Sequence, residues 1–448
     1  MKNRTAKLSV RPRFSRIQIL IFAAIFGLLG IALWKTFAAP NPNLQGDLNN
    51  DNTVNITDLS ILLSNYGTVS STADINGDGT VNVLDLSILL SHYGQNYSPN
   101  TNPLSVRVLG NNLVDANGSP VQLRGVNRSG TQYACVDGYG FFDGPTDDSS
   151  LGYIKAWGVN AVRVSLNEDC WLGINGSPAA YSGSNYQNAI VSYVGRLNNQ
   201  GFRVIIDLHF AAPGTTLATS SLDQLPMADR DHSPTFWQGV ANTFKSNPSV
   251  LFDLFNEPYP DSNSNSTAAW ACVRDGGTCP GVNYVAAGSQ EMLNAIRSTG
   301  ATNVVMVGGP QYAGVVDKWQ TYAPNDSIHQ LAASIHIYYN TPSSPEWAPC
   351  YLLSCWNNTM APLAQSVPII IGEVGEHDCS TGLINGISFS PNQPSLLDWA
   401  DQHGVSYLAW SWISNGGGNC ATEPSLISNY DGTPTTYGIG IKNHLLSL

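Results

Sequence analysis

The chain has 448 residues, 42% of them hydrophobic, enough to bury a sizeable core and too many for one small domain. The formal net charge is −12, but the first 46 residues carry seven Lys/Arg and no acid, so the remainder sets 13 Lys/Arg against 32 Asp/Glu. A body that acidic repels nucleic acid and anionic lipid, which excludes both as its partners.

Arg11, Arg13 and Arg16 precede an uncharged apolar run at residues 17–34, and basic residues ahead of such a run mark export. The run is long for a secretory signal and just long enough to span a bilayer, and Thr36-Phe37-Ala38-Ala39 offers a small-residue cleavage site. Residues 1–40 therefore read as a signal peptide or a retained membrane anchor, with the rest secreted or tethered to the outer face of the membrane. Eight cysteines, all after residue 134, fit that compartment as disulfides. Short spacings predict staples at Cys272/Cys279 and Cys350/Cys355; Cys135 is then paired with Cys170 and Cys379 with Cys420. No CxxC pair supports a structural zinc site.

Residues 41–97 hold a repeat with a 27-residue period, GDLNNDNTVNITDLSILLSNYG and then ADINGDGTVNVLDLSILLSHYG. The first copy sets side-chain oxygens at loop positions 1, 3, 5 and 12 from Asp47, Asn49, Asp51 and Asp58, and the second from Asp74, Asn76, Asp78 and Asp85. With the carbonyls of Thr53 and Thr80 at position 7, this spacing serves a hard cation wanting six to eight oxygens, so bound Ca2+ is the expected structural ion. Position 6 needs a sharp turn and is Gly79 in the second loop and Asn52 in the first. Each loop runs into an amphipathic helix, with no helix before it. The pattern resembles a dockerin module, and the resemblance implies docking on a cohesin of a scaffold protein. Two departures keep a calcium-stiffened spacer open as the alternative: the module follows the apolar run directly, and its helices carry Ser-Ile in both copies at the contact positions. Residues 98–103, SPNTNP, form a linker.

Residues 104–448 open on a predicted hairpin with an Asn117-Gly118 turn. Strand patterns at 122–127, 160–166, 203–209, 250–257, 303–311, 331–339, 368–373 and 405–413 then alternate with helical ones at 186–200, 235–246, 284–298 and 395–403. Eight strands of this kind predict an α/β fold, a (β/α)8 TIM barrel carrying a small N-terminal two-loop, EF-hand-like helical module. The opening hairpin is placed as a lid on the barrel floor. A doubly wound sheet is the alternative, but no glycine-rich phosphate loop follows the first strand.

Chemistry on such a barrel sits at the C-terminal strand ends, and those ends read Asn127, Arg163, His209, Asn256, Glu257, His336, Tyr338, Glu373, Trp410 and Trp412. Hydrolysis of a glycosidic bond needs one protonated and one ionised carboxyl group, and Glu257 and Glu373 supply the pair. Arg163 is placed to keep Glu373 charged, and that charge to keep Glu257 protonated. Asn256 is expected to bond a sugar hydroxyl, Tyr338 to orient Glu373, His209 and His336 to add donors, and Trp410 to offer a flat face to a pyranose. Glu376 is a rival nucleophile three residues beyond Glu373, and Trp412 a rival to Trp410 because alternation puts both on one face. Glu168 and Asp169 are expected to bind substrate or support a loop.

These pieces, NAVRV, VIIDLH, LFDLFNEP, SIHIYY, IIIGE and YLAWSW, resemble a glycoside hydrolase family 5 catalytic domain, of the clan with catalytic glutamates on strands four and seven. The resemblance implies Glu257 as acid/base, Glu373 as nucleophile, retention of configuration, no catalytic cofactor, and carboxyl groups about 5 to 5.5 Å apart. It also implies a β-linked polysaccharide substrate: β-1,4-glucan first, making the chain an endo-β-1,4-glucanase, and mannan second. A non-catalytic cell-surface glycan binder is the reading from another class, and the intact glutamate pair argues against it. Trp171, Tyr259, Trp270, Trp347 and Trp356 are candidates for a stacking track along a long chain.

Overall fold

The computed structural model describes residues 44–49, 51, 53–70, 72–95, 102–219, 222, 224–339, 350–376, 395–414 and 424–448. The apolar run 17–34, Asn52, Trp347, and the Cys379 and Cys420 pairing lie outside those residues. Among the described residues no helix is long and apolar enough to cross a membrane. The chain divides into two compact units, Met1–Pro99 and Asn100–Leu448.

In the smaller unit the repeat folds twice the same way, into α1 (Ile56–Ser64) and α2 (Val83–Ser91). Each helix starts in a reciprocal capping box: the Asn55 side chain accepts from the Thr57 amide while Asp58 reaches back to the Asn55 amide, and Asn82, Leu84 and Asp85 repeat this. The copies interlock, because Gly94 donates to the Val54 carbonyl and Gly67 to that of Val81. Leu44, Leu48, Val54, Leu62, Ala73, Val81 and Leu89 fill the small core between them.

The larger unit begins with a hairpin, β1 (Arg107–Leu109) and β2 (Asn112–Val114), followed by β3 (Arg124–Arg128), β4 (Ala161–Asn167), β5 (Arg203–Phe210) and β6 (Val250–Asp253). A second hairpin, β7 (Gly276–Thr278) and β8 (Val285–Ala287), comes next, then β9 (Val305–Gly308), β10 (Leu331–Tyr339), β11 (Ile369–Glu376) and β12 (Ser406–Ala409). A last short pair, β13 (Ile427–Asn429) and β14 (Thr433–Pro434), precedes the final helix. Strands β3, β4, β5, β6, β9, β10, β11 and β12 close into one parallel barrel. Their run-on apolar sequences follow from burial on both faces. Outside the strands, helices Ser184–Asn199, Ser233–Phe244, Ser289–Ser298 and Leu396–His403 lay buried faces on the barrel. At the floor, Val106, Val108 and Leu113 of the first hairpin pack with Ile205, Leu251, Met306, Ile370 and Leu408 from the strands.

Several boundaries differ from those read in the sequence. The first hairpin turns at Gly110 (φ +62°), and Asn117-Gly118 forms the next turn, where the Asp115 amide bonds the Ser119 carbonyl. Residues 285–287 pair as a strand, so the helix expected from 284 begins at Ser289. Strand β6 ends at Asp253 and β9 at Gly308, after which Gln311, Tyr312 and Ala313 all adopt positive φ. Leu254 and Phe255 carry the apolar sequence on past Asp253, and Gly309 and Pro310 follow Gly308, but the backbone leaves the ladder at both points. Disulfides join Cys135 to Cys170, Cys272 to Cys279 and Cys350 to Cys355, three of the expected pairings.

Candidate active site

The site is assembled around a break in β11. Ile371 lies opposite Ile335, but Glu373, not Gly372, lies opposite His336, so Gly372 is an extra residue bulged out of the ladder. The same slip recurs against β12, between Ile371 and Val374. A bulge re-aims the residues after it, and here it turns Glu373 to face Arg163. The spot is tight, because a Cβ on Gly372 would stand 3.0 Å from His336 Nε2 and 3.2 Å from Ser334 Oγ, so both side chains would have to give way.

Arg163, from the middle of β4, is fully buried and gathers the centre. Its Nη1 donates to Glu373 Oε1 (2.7 Å) and Asn127 Oδ1 (3.0 Å), its Nη2 to Asn256 Oδ1 (2.8 Å), and its Nε to Asp253 Oδ2 (3.1 Å). Asp207 closes the ring, 3.2 Å from Nη2. A buried guanidinium demands such partners. Burial alone would raise Asp207, but Arg163 and His209 outweigh it and hold its carboxyl below the usual range. Asp253 goes the other way: burial pushes it up to about 7, and Arg163 offsets that only in part.

Both Glu373 oxygens accept hydrogen bonds, Oε1 from Arg163 and Oε2 from the Tyr338 hydroxyl (2.5 Å). Burial first, and then the charges of Glu373 and Glu257, raise the Tyr338 phenol well above its ordinary value, so it keeps its proton and remains a donor. Glu257, just past β6, has its Oε1 2.9 Å from His336 Nδ1, and that nitrogen is 3.6 Å from Glu373 Oε2. One atom each of Glu257, His336 and Glu373 lie within 4.8 Å of one another. Burial lowers His336 to about 4 against the pull of Glu373, so its ring is neutral near neutral pH. The side chain of Glu376 lies outside the described residues.

One polar chain fixes the adjoining wall. Asp207 Oδ2 lies 2.8 Å from His209 Nδ1, which puts the proton on Nδ1 and leaves Nε2 to accept from Asn256 Nδ2 (3.4 Å). Because Arg163 claims Asn256 Oδ1, the Asn256 amide must present its NH2 outward, where it also reaches Gln224 Oε1 at 3.1 Å. Trp410 stacks on His209, ring centroids 5.5 Å apart and planes 10° off parallel. Strand β12 ends at Ala409, so strand alternation does not govern the two tryptophans. Trp412 is buried edge-on against Trp157, and Trp410 alone joins the polar cluster.

All eight barrel residues singled out by the sequence, Arg163, His209, Asn256, Glu257, His336, Tyr338, Glu373 and Trp410, thus converge on one cleft. Asp207, Asp253 and Gln224 were missed. The first two left a signal, an acid inside a strand otherwise apolar, which burial obliges to find a cation; Gln224 lies in a loop with no such mark. The stacking track is corrected for its described members: Trp171, Trp270 and Trp356 are buried in the core, and Tyr259 is part exposed, stacked on Tyr312 at 4.5 Å. Glu168 and Asp169 are buried as well and support loops. Ser233 Oγ donates to Glu168 Oε2 (2.5 Å), burial and the Asp229 charge raise Glu168 well above its ordinary value, and Asp169 accepts from the Ala218 amide and Asn175.

In the smaller unit the predicted ligands turn inward on each loop. Asp51 donates its amide to Asp47 Oδ1 (3.1 Å) and Asn49 Oδ1 (3.0 Å), and Asp78 does the same to Asp74 and Asn76. Asp58 Oδ1 accepts from the Leu48 amide and Asp85 Oδ1 from that of Ile75, each at 2.7 Å. Carboxylate atoms of Asp47, Asp51 and Asp58 lie within 4.8 Å of one another, and Gly79 takes φ +93° at position 6. Converging hard oxygens with a sharp central turn fit a calcium ion. Asp47, Asn49, Asp51 and Asp58 would hold it with the Thr53 carbonyl; Asp74, Asn76, Asp78, Asp85 and the Thr80 carbonyl would hold the second.

Residues 114–416 match the family profile described as Cellulase (glycosyl hydrolase family 5). The chain belongs to glycosyl hydrolase family 5. Residues 45–93 match a Dockerin type I domain, ahead of the family 5 barrel. Among relatives, Endoglucanase N of Pectobacterium atrosepticum is 25% identical over 70% of this chain and 58% of its own length. Beta-mannanase/endoglucanase A of Caldicellulosiruptor saccharolyticus is 24% identical over 67% of this chain, but only 19% of its own length. This family 5 chain thus spans less than two thirds of either relative. Among solved structures, a beta-glucanase from Saccharophagus degradans superposes with a TM-score of 0.54 at 19% identity, over 78% of this chain and 97% of that one. A hyperthermophilic endocellulase from Pyrococcus horikoshii gives 0.56 at 19% identity, over 76% and 98%. At such identities the likeness is one of fold, a (β/α)8 barrel.

Proposed function

We propose that the chain is a retaining endo-β-1,4-glucanase in which Glu373 is the nucleophile and Glu257 the acid/base. The observation that carries the reading is the approach of Glu257 and Glu373 within 4.8 Å, which suits the short carboxyl separation of retaining enzymes and leaves no room for the water an inverting pair needs between them. Glu373, its oxygens accepting from Arg163 and Tyr338, attacks the anomeric carbon while Glu257 gives its proton to the departing glycosidic oxygen. Glu257 then takes a proton from water, whose oxygen displaces Glu373 from that carbon and restores the starting configuration. Asn256, its amide turned outward, donates to the hydroxyl beside the reacting carbon, and Trp410 stacks beneath the ring. No step calls for a metal.

β-1,4-Glucan is the proposed substrate because both named relatives carry endoglucanase in their names; mannan is the second reading, because one of the two carries mannanase as well. The dockerin loops bind calcium in this reading and dock on a cohesin. Three disulfides support a location outside the cytoplasm, secreted or tethered through residues 17–34. Reducing-sugar release by the full chain on soluble cellulose, mixed-linkage glucan, mannan and xylan, with Glu373→Gln as the blank, tests the activity. Cleavage of the glucans is expected. Cleavage of mannan alone would replace the substrate, and a wild type equal to its blank on every polymer would leave a glycan-binding protein. Calcium-dependent capture by a cohesin tests the docking role; calcium-raised melting without capture would leave a spacer.

A further inference from the structure

The catalytic pair has a third partner that the reaction itself does not require to be an imidazole. His336 Nδ1 stands 2.9 Å from Glu257 Oε1 and 3.6 Å from Glu373 Oε2, with all three ligand atoms within 4.8 Å of one another. A tetrahedral zinc ion with bonds of about 2.0–2.2 Å sets its nitrogen and oxygen ligands about 3.3–3.6 Å apart. The His336–Glu373 edge lies at the upper end of that range and the His336–Glu257 edge, a hydrogen bond, below it, so Glu257, whose side chain is 18% exposed where the other two are nearly buried, would shift to take up the ion. An ion would therefore enter from the substrate side and keep its fourth position open to the cleft. Calcium wants six to eight oxygens and magnesium an octahedron of them, so one nitrogen between two carboxylates selects against both. The surrounding groups suit a cation, since among the described residues the guanidinium of Arg163 is shared by the carboxyl groups of Glu373, Asp207 and Asp253, with that of Glu257 beside His336. Tyr338 and Arg163, bonded to Glu373, would hold that ligand in orientation from behind.

We propose that Glu257, His336 and Glu373 form a binding site for a single zinc ion, and that zinc inhibits the enzyme by competing with the polysaccharide. This rests on the reading of Glu257 and Glu373 as the catalytic pair. The ion ties up both carboxylates and fills the place of the scissile bond, so it must leave before substrate enters.

The test uses the full chain saturated with calcium, so that the N-terminal loops are filled. Calorimetric titration with Zn2+ is expected to give one site beyond calcium, absent for Mg2+. Glu257→Gln and His336→Asn, each shown folded by circular dichroism, are expected to weaken it by about tenfold or more. With soluble cellulose, zinc is expected to raise the apparent KM and leave kcat unchanged. Zinc binding unaltered in both variants, or a fall in kcat at constant KM, would overturn the proposal. If the wild type hydrolyses nothing, the hydrolase reading fails by itself, while the titration still decides the metal site.

Discussion

Tyr338 shows how much of this centre depends on one proton staying where it is. Its phenol is raised well above the ordinary range by burial and the two glutamates, so across the working pH it donates to Glu373 Oε2 and never competes as an anion. Tyr338→Phe removes a hydrogen bond to a charged group, worth about 1.5–3 kcal/mol, so kcat on soluble cellulose should fall about 10- to 100-fold with the fold intact by circular dichroism. Asp253 carries the opposite lesson. Its carboxyl, raised to about 7, binds more protons folded than unfolded, so it costs stability progressively as pH rises from about 4 to about 7, and no further above that. Asp253→Asn keeps an acceptor for Arg163 Nε and removes that titration. Melting temperatures from pH 4 to 8 should show the variant gaining on the wild type as pH rises and then running parallel to it; a constant difference would mean that Asp253 does not titrate in this window. The glutamates could be read from sequence because each closes a run of apolar strand-forming residues, although β6 stops at Asp253, before Glu257, and β11 runs on through Glu373 to Glu376. The direction of the Asp253 shift could not, since it depends on three carboxylates sharing one guanidinium from four different strands.

Among the elements, β11 joins sequence to geometry most directly. Its β-branched run predicted a buried strand, and a buried strand it is, but strict alternation through IIIGE would misplace Glu373 by one position. Gly372 absorbs that position as a bulge. No positive φ is involved, so alanine fits the backbone and its cost is steric: a Cβ at 3.0 Å from His336 Nε2 presses the imidazole toward Glu257. Gly372→Ala should cost about 1–3 kcal/mol of stability, as overpacking does, and lower kcat more than KM, because the displaced ring meets Glu257, the proposed acid/base. Unchanged kinetics with lowered stability would confine the glycine's role to packing. The strands were legible because eight parallel strands buried on both faces leave apolar runs. Their C-terminal limits at Asp253, Gly308 and Ala409 were not, since the ladder gives way there to side-chain bonds and left-handed turns that periodicity does not encode.

At the scale of the whole chain, the two units owe their stability to different physics. Among the described residues the barrel has a large apolar core and three disulfides, whereas the repeat unit closes on seven buried apolar side chains and two loops crowded with carboxylates. A core that small is marginal alone, and the carboxylates in each loop repel one another unless a cation sits among them. On the proposed reading, calcium bound to the folded loops would add directly to the folding free energy of that unit. A chelator should therefore abolish a low-temperature calorimetric transition belonging to residues 44–95 while the main transition stays in place. Tryptophan fluorescence separates the two, because ten of the eleven tryptophans follow residue 156 and none lies between 44 and 95. The fluorescence-detected melt should be the same with and without chelator. If it shifted downward with the chelated unit, the barrel would owe part of its stability to the two acidic loops, and the repeat would be a stabilising element as well as the docking module proposed above.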